Sequence, residues 1–432
     1  MITNEDYKIF SDISYWIESN RNHVPFIPNQ DDVLHSKDLK GLSKNYKVLK
    51  TEDNTTNGMQ AMAVAPVKNG KADTSEIVIA YAGTNFDDEL DLMTDAQTVV
   101  LGNKVLIPES QQLDLTKHNQ LDELGIPKSI EYVDGQVMTA QMFFEEIKTN
   151  YPKATITTTG HSLGEYIALY ISAENGLKNV GFNGPDPYNI LSPKAKEWIK
   201  ENPGMLYNYR NEEDKIGNYG GNGTRAEILV NMDMGGHIKD TLEFHGLGTW
   251  EFDEEGKLVI KDTLENREAR QTRAEKKMYL KMNELSILSK RLKASGGGLS
   301  SNEEIFLDNT QALLAVDYIS KSMKIGIETV VNIYLDAIAE AEETWKEGIR
   351  LAQSIGTELS YDEILNALQA GGVTKHSVVF EPAAYYREKI SEALEIGGNF
   401  DHLVFEIKES IRELEETDRE LANQIEQGSI IG

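Results

Sequence analysis

None of the 432 positions is a cysteine. That excludes disulfides, thiolate metal sites and a cysteine nucleophile. Positive charge is scarce: 43 Lys and Arg face 71 Asp and Glu, a formal net charge of −28. Nucleic-acid binding needs a basic footprint, so that class of partner is set aside. Simple electrostatic attachment to anionic lipid is disfavoured for the same reason. A lipid substrate would have to be met by apolar or locally basic surface. The plainest meaning of the charge is solubility. No apolar run approaches the roughly 18 residues that span a bilayer. The first ten residues carry Glu5 and Asp6 and no apolar core, unlike a secretory signal peptide. These features fit a cytoplasmic protein, and equally a bacterial protein exported by a route that needs no cleaved signal.

What is present is a folded, globular composition, with 40% hydrophobic and 26% charged residues. The length suffices for two or three domains. Up to about residue 260, short β-rich runs alternate with Gly/Pro/Asn turns and helical stretches, the pattern of an α/β domain. Candidate strands are 77–81, 155–159, 179–182, 205–209 and 227–231. A late pair, 249–252 and 257–260, flanks Asp253-Glu254-Glu255-Gly256 and reads as a hairpin.

From about Leu264 strand signals nearly vanish and proline is almost absent. Met278, Met282, Leu285, Leu288 and Leu292 fall at helical spacing. Gly296-Gly297-Gly298 ends that helix, and Ser300 and Ser301 with Glu303 and Glu304 open the next. Ile319, Met323, Ile327, Val330, Tyr334, Ile338, Ala341 and Trp345 form one long apolar stripe. Val404, Ile407, Ile411, Leu414, Leu421 and Ile425 follow a heptad that Asp418 interrupts. Basic residues from Arg267 to Lys281 crowd the first of these helices, and the last is acidic, as expected if one packs on the other. The expected organisation is an α/β-hydrolase domain over 1–262 and an all-helical domain over 263–432. The helical stripes are buried either against each other or against another chain.

The strongest local signal is Thr159-Gly160-His161-Ser162-Leu163-Gly164, which has the Gly-x-Ser-x-Gly form of a nucleophile elbow. In such an elbow a strand ends, the chain turns sharply and a helix begins. The serine hydroxyl is exposed on the strained turn, and the small neighbours let strand and helix approach. The backbone N–H of the next residue, Leu163, points at a developing oxyanion from a helix N-terminus. A β-prone run precedes Ser162 and a helical run follows it, so the context fits. A serine nucleophile needs a base and a group that orients the base. In this fold their chain order is serine, acid, histidine. Asp214, just after the strand at 205–209, is the first candidate acid. Asp186 is a rival that follows a strand too early, and Glu212 and Glu213 are lesser rivals. His245 is the preferred base and His237 the alternative. His161, next to the nucleophile, is read as elbow packing. Thr84, after the apolar strand 77–81 and Gly83, is the candidate second oxyanion donor.

At these residues the chain resembles the class 3 (fungal-type) lipase family in its bacterial branch. Tyr81-Ala82-Gly83-Thr84 is similar to the family's Arg-Gly-Thr turn, with the usual Arg replaced. Asp91-Leu92-Met93-Thr94-Asp95 resembles the Asp-Trp-x-x-Asp stretch that follows it. The elbow, the strand and turn from Val180 to Pro185, the acid loop Asp214-Lys215-Ile216-Gly217, and His245-Gly246-Leu247-Gly248-Thr249-Trp250 complete the likeness, over roughly residues 60 to 260. Glu165 departs from it, because that position is usually small; a carboxylate there is expected to shape access to the nucleophile. The resemblance implies hydrolysis of acyl lipids or phospholipids. Ser162 would attack, His245 would carry the proton and Asp214 would hold the imidazole, with Thr84 and Leu163 as oxyanion donors. No metal or organic cofactor is implied. A lid is expected within 86–136.

The helical half resembles, more loosely, the LXG-type targeting domains of type VII secretion substrates, in reversed order. That implies a toxin secreted without a cleaved signal, small helical secretion partners on the C-terminal domain, and an immunity protein over the lipase site. Two other readings stand beside this one. One is a cytoplasmic esterase or acyltransferase with a helical oligomerisation domain. The other is a non-catalytic hydrolase-like binding protein.

Overall fold

The structure, a computed structural model, describes residues 2–18, 24–55, 57–83, 135–232, 241–294 and 299–429. The chain divides into two compact units, Met1–Lys261 and Asp262–Gly432.

The first unit is built on a mixed sheet of nine strands: β1 (Val33–Leu34), β2 (Tyr46–Asn54), β3 (Met59–Lys68), β4 (Lys71–Ala72), β5 (Glu76–Tyr81), β6 (Thr155–Gly160), β7 (Lys178–Phe182), β8 (Leu206–Asn211) and β9 (Glu227–Val230). Their order is β1-β2-β3-β5-β6-β7-β8-β9, with β4 beside β3. Pairing is antiparallel as far as β5 and parallel from β5 to β9. The parallel half needs cover on both faces, and β5 is accordingly an apolar run, whereas β6 and β8 bury polar side chains as well. Ile77, Val78, Ile79, Ala80 and Tyr81 are all fully buried.

All five candidate strands are present, with ends shifted by a residue or two. Four others, β1 to β4, lie outside those candidates, and β2 and β3 are the long ones among them. β3 is buried from Met59 to Ala65 but is rich in Met, Ala and Gln, which are poor strand signals. β2 carries a register shift between Val48 and Lys50 that breaks its alternation. The expected late hairpin shrinks to one bridge, Phe252 with Leu258. The Asp253 carboxylate accepts from the N–H groups of Glu255 and Lys257, so a side chain closes the turn where a ladder was expected.

Helix α1 (Asn4–Ser14) opens the chain with a Thr3/Asp6 capping box. It is docked on β6 through polar side chains. Tyr7 Oη donates to Thr157 Oγ1 (3.0 Å), and the Ser11 and Thr159 hydroxyls meet at 2.8 Å. On the other face of β6, Thr158 donates to the Ala168 carbonyl of helix α3 (Leu163–Asn175). The alternation of a strand thus hands Thr157 and Thr159 to α1 and Thr158 to α3. Asp6 is fully buried, and its carboxylate accepts from Ser43 N, Ser43 Oγ and Tyr46 Oη. Helix α2 (Gln136–Asn150) joins the same core through Val137, Ala140, Phe143, Phe144 and Ile147. Helices α4 (Pro193–Glu201) and α5 (Thr241–His245) complete the elements used below.

The second unit is helical: α6 (Arg267–Ala294), α7 (Ser301–Ile355), α8 (Tyr361–Ala370), a π-helical turn at His376–Phe380, and α9 (Glu381–Ser429). α7 starts with a Ser300/Glu303 capping box, as the sequence indicates. It packs along both α6 and α9. Arg270 of α6 pairs with Glu328 of α7 (2.7 Å), so the basic helix meets the middle helix and not the acidic last one on which it was expected to pack. No helix among the described residues is long and apolar enough to cross a membrane.

Candidate active site

Ser162 stands between β6 and α3 with φ 58° and ψ −129°. A non-glycine residue in that half of the map costs of order 1–3 kcal/mol, and such strain persists only where the surroundings enforce it. The enforcement is visible in the flanking glycines. A Cβ on Gly160 would lie 2.3 Å from the Gly164 carbonyl group, and one on Gly164 would lie 2.3 Å from Tyr81 O. The helix start can therefore sit directly on β5 and β6 only because both positions lack a side chain. Ser162 N donates to Phe182 O (3.2 Å), tying the turn to β7.

Asp214 lies three residues past β8 and is fully buried. Its Oδ1 accepts from Ile216 N (2.9 Å) and Gly217 N (3.0 Å). Its Oδ2 is 2.8 Å from His245 Nδ1. A carboxylate oxygen accepts, so this contact places a proton on Nδ1. Nε2 is buried and has no hydrogen-bond partner among the described residues. No hydrogen bond therefore joins it to Ser162.

His245 is also held by its main chain. Its carbonyl accepts from His161 Nε2 (2.7 Å) and from Asn183 Nδ2 (2.7 Å). Asn183 follows β7 in a left-handed conformation (φ 52°), and its Oδ1 accepts from Asn211 N at the end of β8. One amide side chain thus ties the acid-bearing loop to the histidine. The rings of His161 and His245 lie 4.7 Å apart. Burial, and then the neighbouring His245, push the His161 pKa down to about 3, so that ring is neutral.

Leu163 is the first residue of α3, where the N–H groups have no partner within the helix. Thr84 lies outside the described residues, as do His237 and nearly all of the 86–136 stretch. Gly83, just before Thr84, rests on the elbow: a Cβ there would meet His161 O at 2.9 Å. Asp186, the rival acid, is buried with its carboxylate engaged by Tyr188 N, Thr224 N and Thr224 Oγ1. Glu212 and Glu213 are exposed.

Glu165 differs from its expected role. It is fully buried against β7, where a Cβ on Gly181 would overlap its carboxylate. Its Oε1 accepts from Asn179 Nδ2 (2.6 Å), and burial raises its pKa well above the usual range against a smaller opposing pull from Arg210. It therefore shapes the helix–sheet seam and not the approach to Ser162. The small residues that make room for it, Gly181 and Gly184, are the signal the sequence offers.

No protein-family model matches the chain, and no curated protein matches it. Among solved structures, it is similar to a mutant form of MDLA from Penicillium cyclopium at a TM-score of 0.31 and 10% identity. That match covers 60% of this chain and 86% of that one.

Proposed function

We propose that the chain is a serine hydrolase of carboxylic esters, acting on acyl lipids or phospholipids. The observation that carries the reading is the strained Ser162 turn beside an Asp214–His245 pair 2.8 Å apart, in the chain order serine, acid, histidine. In the proposed reaction Ser162 Oγ bonds to the ester carbonyl carbon while His245 Nε2 takes its proton. The Leu163 N–H and the Thr84 N–H stabilise the oxyanion. Collapse breaks the bond to the alcohol, which leaves with the proton from His245. Water then attacks the acyl-serine, again through His245, and releases the fatty acid. Asp214 keeps the imidazole in the Nδ1–H tautomer throughout. These steps call on no metal or organic cofactor. The choice of a lipid substrate rests on the resemblance of residues 60–260 to class 3 lipases.

The test is release of fatty acid from a short-chain chromogenic ester and from phospholipid vesicles, by the intact chain and by Ser162→Ala. The expected loss in the variant is roughly 10⁴- to 10⁶-fold. Equal activity in both chains would remove the reading. Activity on the small ester alone would favour the esterase alternative over the lipase.

The helical unit supports a second element of the proposal. Leu394, Phe405 and Leu414 are more than half exposed on α9 and Leu351 on α7, as helices that receive small helical partners would be. With such partners the chain would be a toxin secreted without a cleaved signal, countered by an immunity protein over the Ser162 site. Co-purification of the full chain with its candidate helical partners, followed by measured complex mass, tests this. A chain that stays alone with those partners in excess would contradict it.

A further inference from the structure

The residue next to the nucleophile, His161, is a buried imidazole that the reaction does not use, and both of its nitrogens are engaged. Nε2 lies 2.7 Å from the His245 carbonyl. A carbonyl oxygen only accepts, so Nε2 must carry a proton. Nδ1 lies 2.9 Å from Tyr15 Oη. With the ring neutral, Nδ1 is an acceptor and the tyrosine hydroxyl is its donor. Tyr15 follows α1 directly, and α1 is fixed on β6 by Tyr7 and Ser11. The same hydroxyl lies 3.1 Å from the His161 carbonyl, and a Cβ on Gly83 would fall 2.5 Å from it. Tyr15 Oη therefore stands where the N-terminal helix, the elbow and the turn after β5 meet.

We infer that Tyr15 locks His161 in its Nε2–H tautomer, and that His161 so locked is a positioning residue that pins the main chain of His245. The inference rests on the hydrolase reading for its catalytic meaning. The physical case is that one lost donor inverts a contact. Without Tyr15 Oη, the imidazole can move its proton to Nδ1. Nε2 then presents a lone pair to the His245 carbonyl, and attraction becomes repulsion. The carbonyl keeps Asn183 as its one donor, and the imidazole of His245 shifts relative to Ser162. Neutrality has a second use. His245 gains positive charge as it takes the serine proton, and a cationic ring 4.7 Å away would oppose that.

The experiment uses the full chain labelled with ¹⁵N-histidine, in wild type and in Tyr15→Phe. Long-range ¹H–¹⁵N correlations distinguish the two neutral tautomers of His161, whether or not the protein is an enzyme. The expected wild-type pattern is Nε2–H, retained down to about pH 5, and the expected Tyr15→Phe pattern is a mixture. A wild-type Nδ1–H pattern, or an unchanged pattern in Tyr15→Phe, overturns the lock. Kinetics test the positioning role. Tyr15→Phe should lower kcat about 10-fold with KM unchanged, the scale of loss from small misplacement of reacting groups. His161→Gln places an amide N–H near the Nε2 position and should retain several-fold more activity than His161→Leu. In the Gln background Tyr15→Phe should have little further effect. Equal losses in Gln and Leu, or an undiminished Tyr15 effect in the Gln background, overturn the positioning role. A wild-type chain that shows the lock but cleaves no ester overturns the hydrolase reading and leaves Tyr15–His161 a structural contact only.

Discussion

Ile77, Ile79 and Tyr81 of β5 have no exposed surface, whereas Ile355, Leu394, Phe405 and Leu414 of the helical unit are each more than half exposed. Both Tyr81 and Leu414 belong to apolar patterns of the right period for their elements. The difference lies in what covers them. A parallel strand with helices on both faces has no outer side, so an apolar run along β5 is buried whichever way each side chain points. Long helices such as α7 and α9 share a narrow seam, and apolar residues away from it stay in water. Periodicity states which face is apolar and leaves open what lies against it.

The comparison can be broken in four ways. The largest effect is chemical. Asp214→Asn should lower kcat about 10⁴-fold by stabilising the wrong tautomer of His245, while substitutions on exposed α9 positions leave kcat on a small ester unchanged. Comparable losses from Phe405→Ser would mean the helical unit takes part in the reaction. Next is stability. Ile79→Ala should cost about 2–5 kcal/mol, and Phe405→Ser no more than about 0.5 kcal/mol. Urea unfolding checks both, with Trp16, Trp198 and Trp250 reporting on the first unit and Trp345 on the second. A large cost at Phe405 would show that α9 is covered in the free chain. Third, Gly164→Ala forces a Cβ against Tyr81 O and should destabilise the first unit by about 1–3 kcal/mol with loss of activity. A stable, active variant would show that the elbow tolerates wider spacing.

The smallest effect is in pH dependence. Glu165 is raised by burial, with Asn179 and Arg210 as its facing groups. Below the ordinary carboxylate range both the folded and unfolded chains hold the proton, and the group's contribution is fully present. As pH rises past that range the unfolded chain releases the proton first, so stability falls until the folded-state pKa is reached. Glu165→Gln keeps an acceptor for Asn179 and removes this slope. It should therefore gain stability over wild type progressively as pH rises above the ordinary carboxylate range. A pH-independent difference between the two would show that Glu165 is ionised in the fold.

What could be read from the sequence was what local chemistry encodes. The elbow declares itself because Gly160, Ser162 and Gly164 each answer a steric demand within six residues. Asp214 and His245 follow from counting strands, because β7 and β8 are short segments bounded by clear Gly, Pro and Asn turns. What could not be read was cooperative. α1 buries Asp6, Ser11 and Ser14 beside Phe10 and Ile13, so its inner face does not look like a core. The positions of Tyr15 and Asn183 depend on contacts across 146 and 62 residues of chain. Glu165 reads as shaping access to Ser162 because buried charge is rare; only Gly181 and Gly184, two strand and turn positions without side chains, give it room in the seam.

The central claim, that Ser162 is an activated nucleophile, is tested most directly by covalent capture. The full chain would be treated with a fluorophosphonate and its mass measured intact and after digestion. The expected result is one adduct per chain, on the peptide containing Ser162, absent in Ser162→Ala and formed far more slowly in His245→Ala. No adduct on the wild-type chain, or an adduct on another residue that persists in Ser162→Ala, would contradict the account.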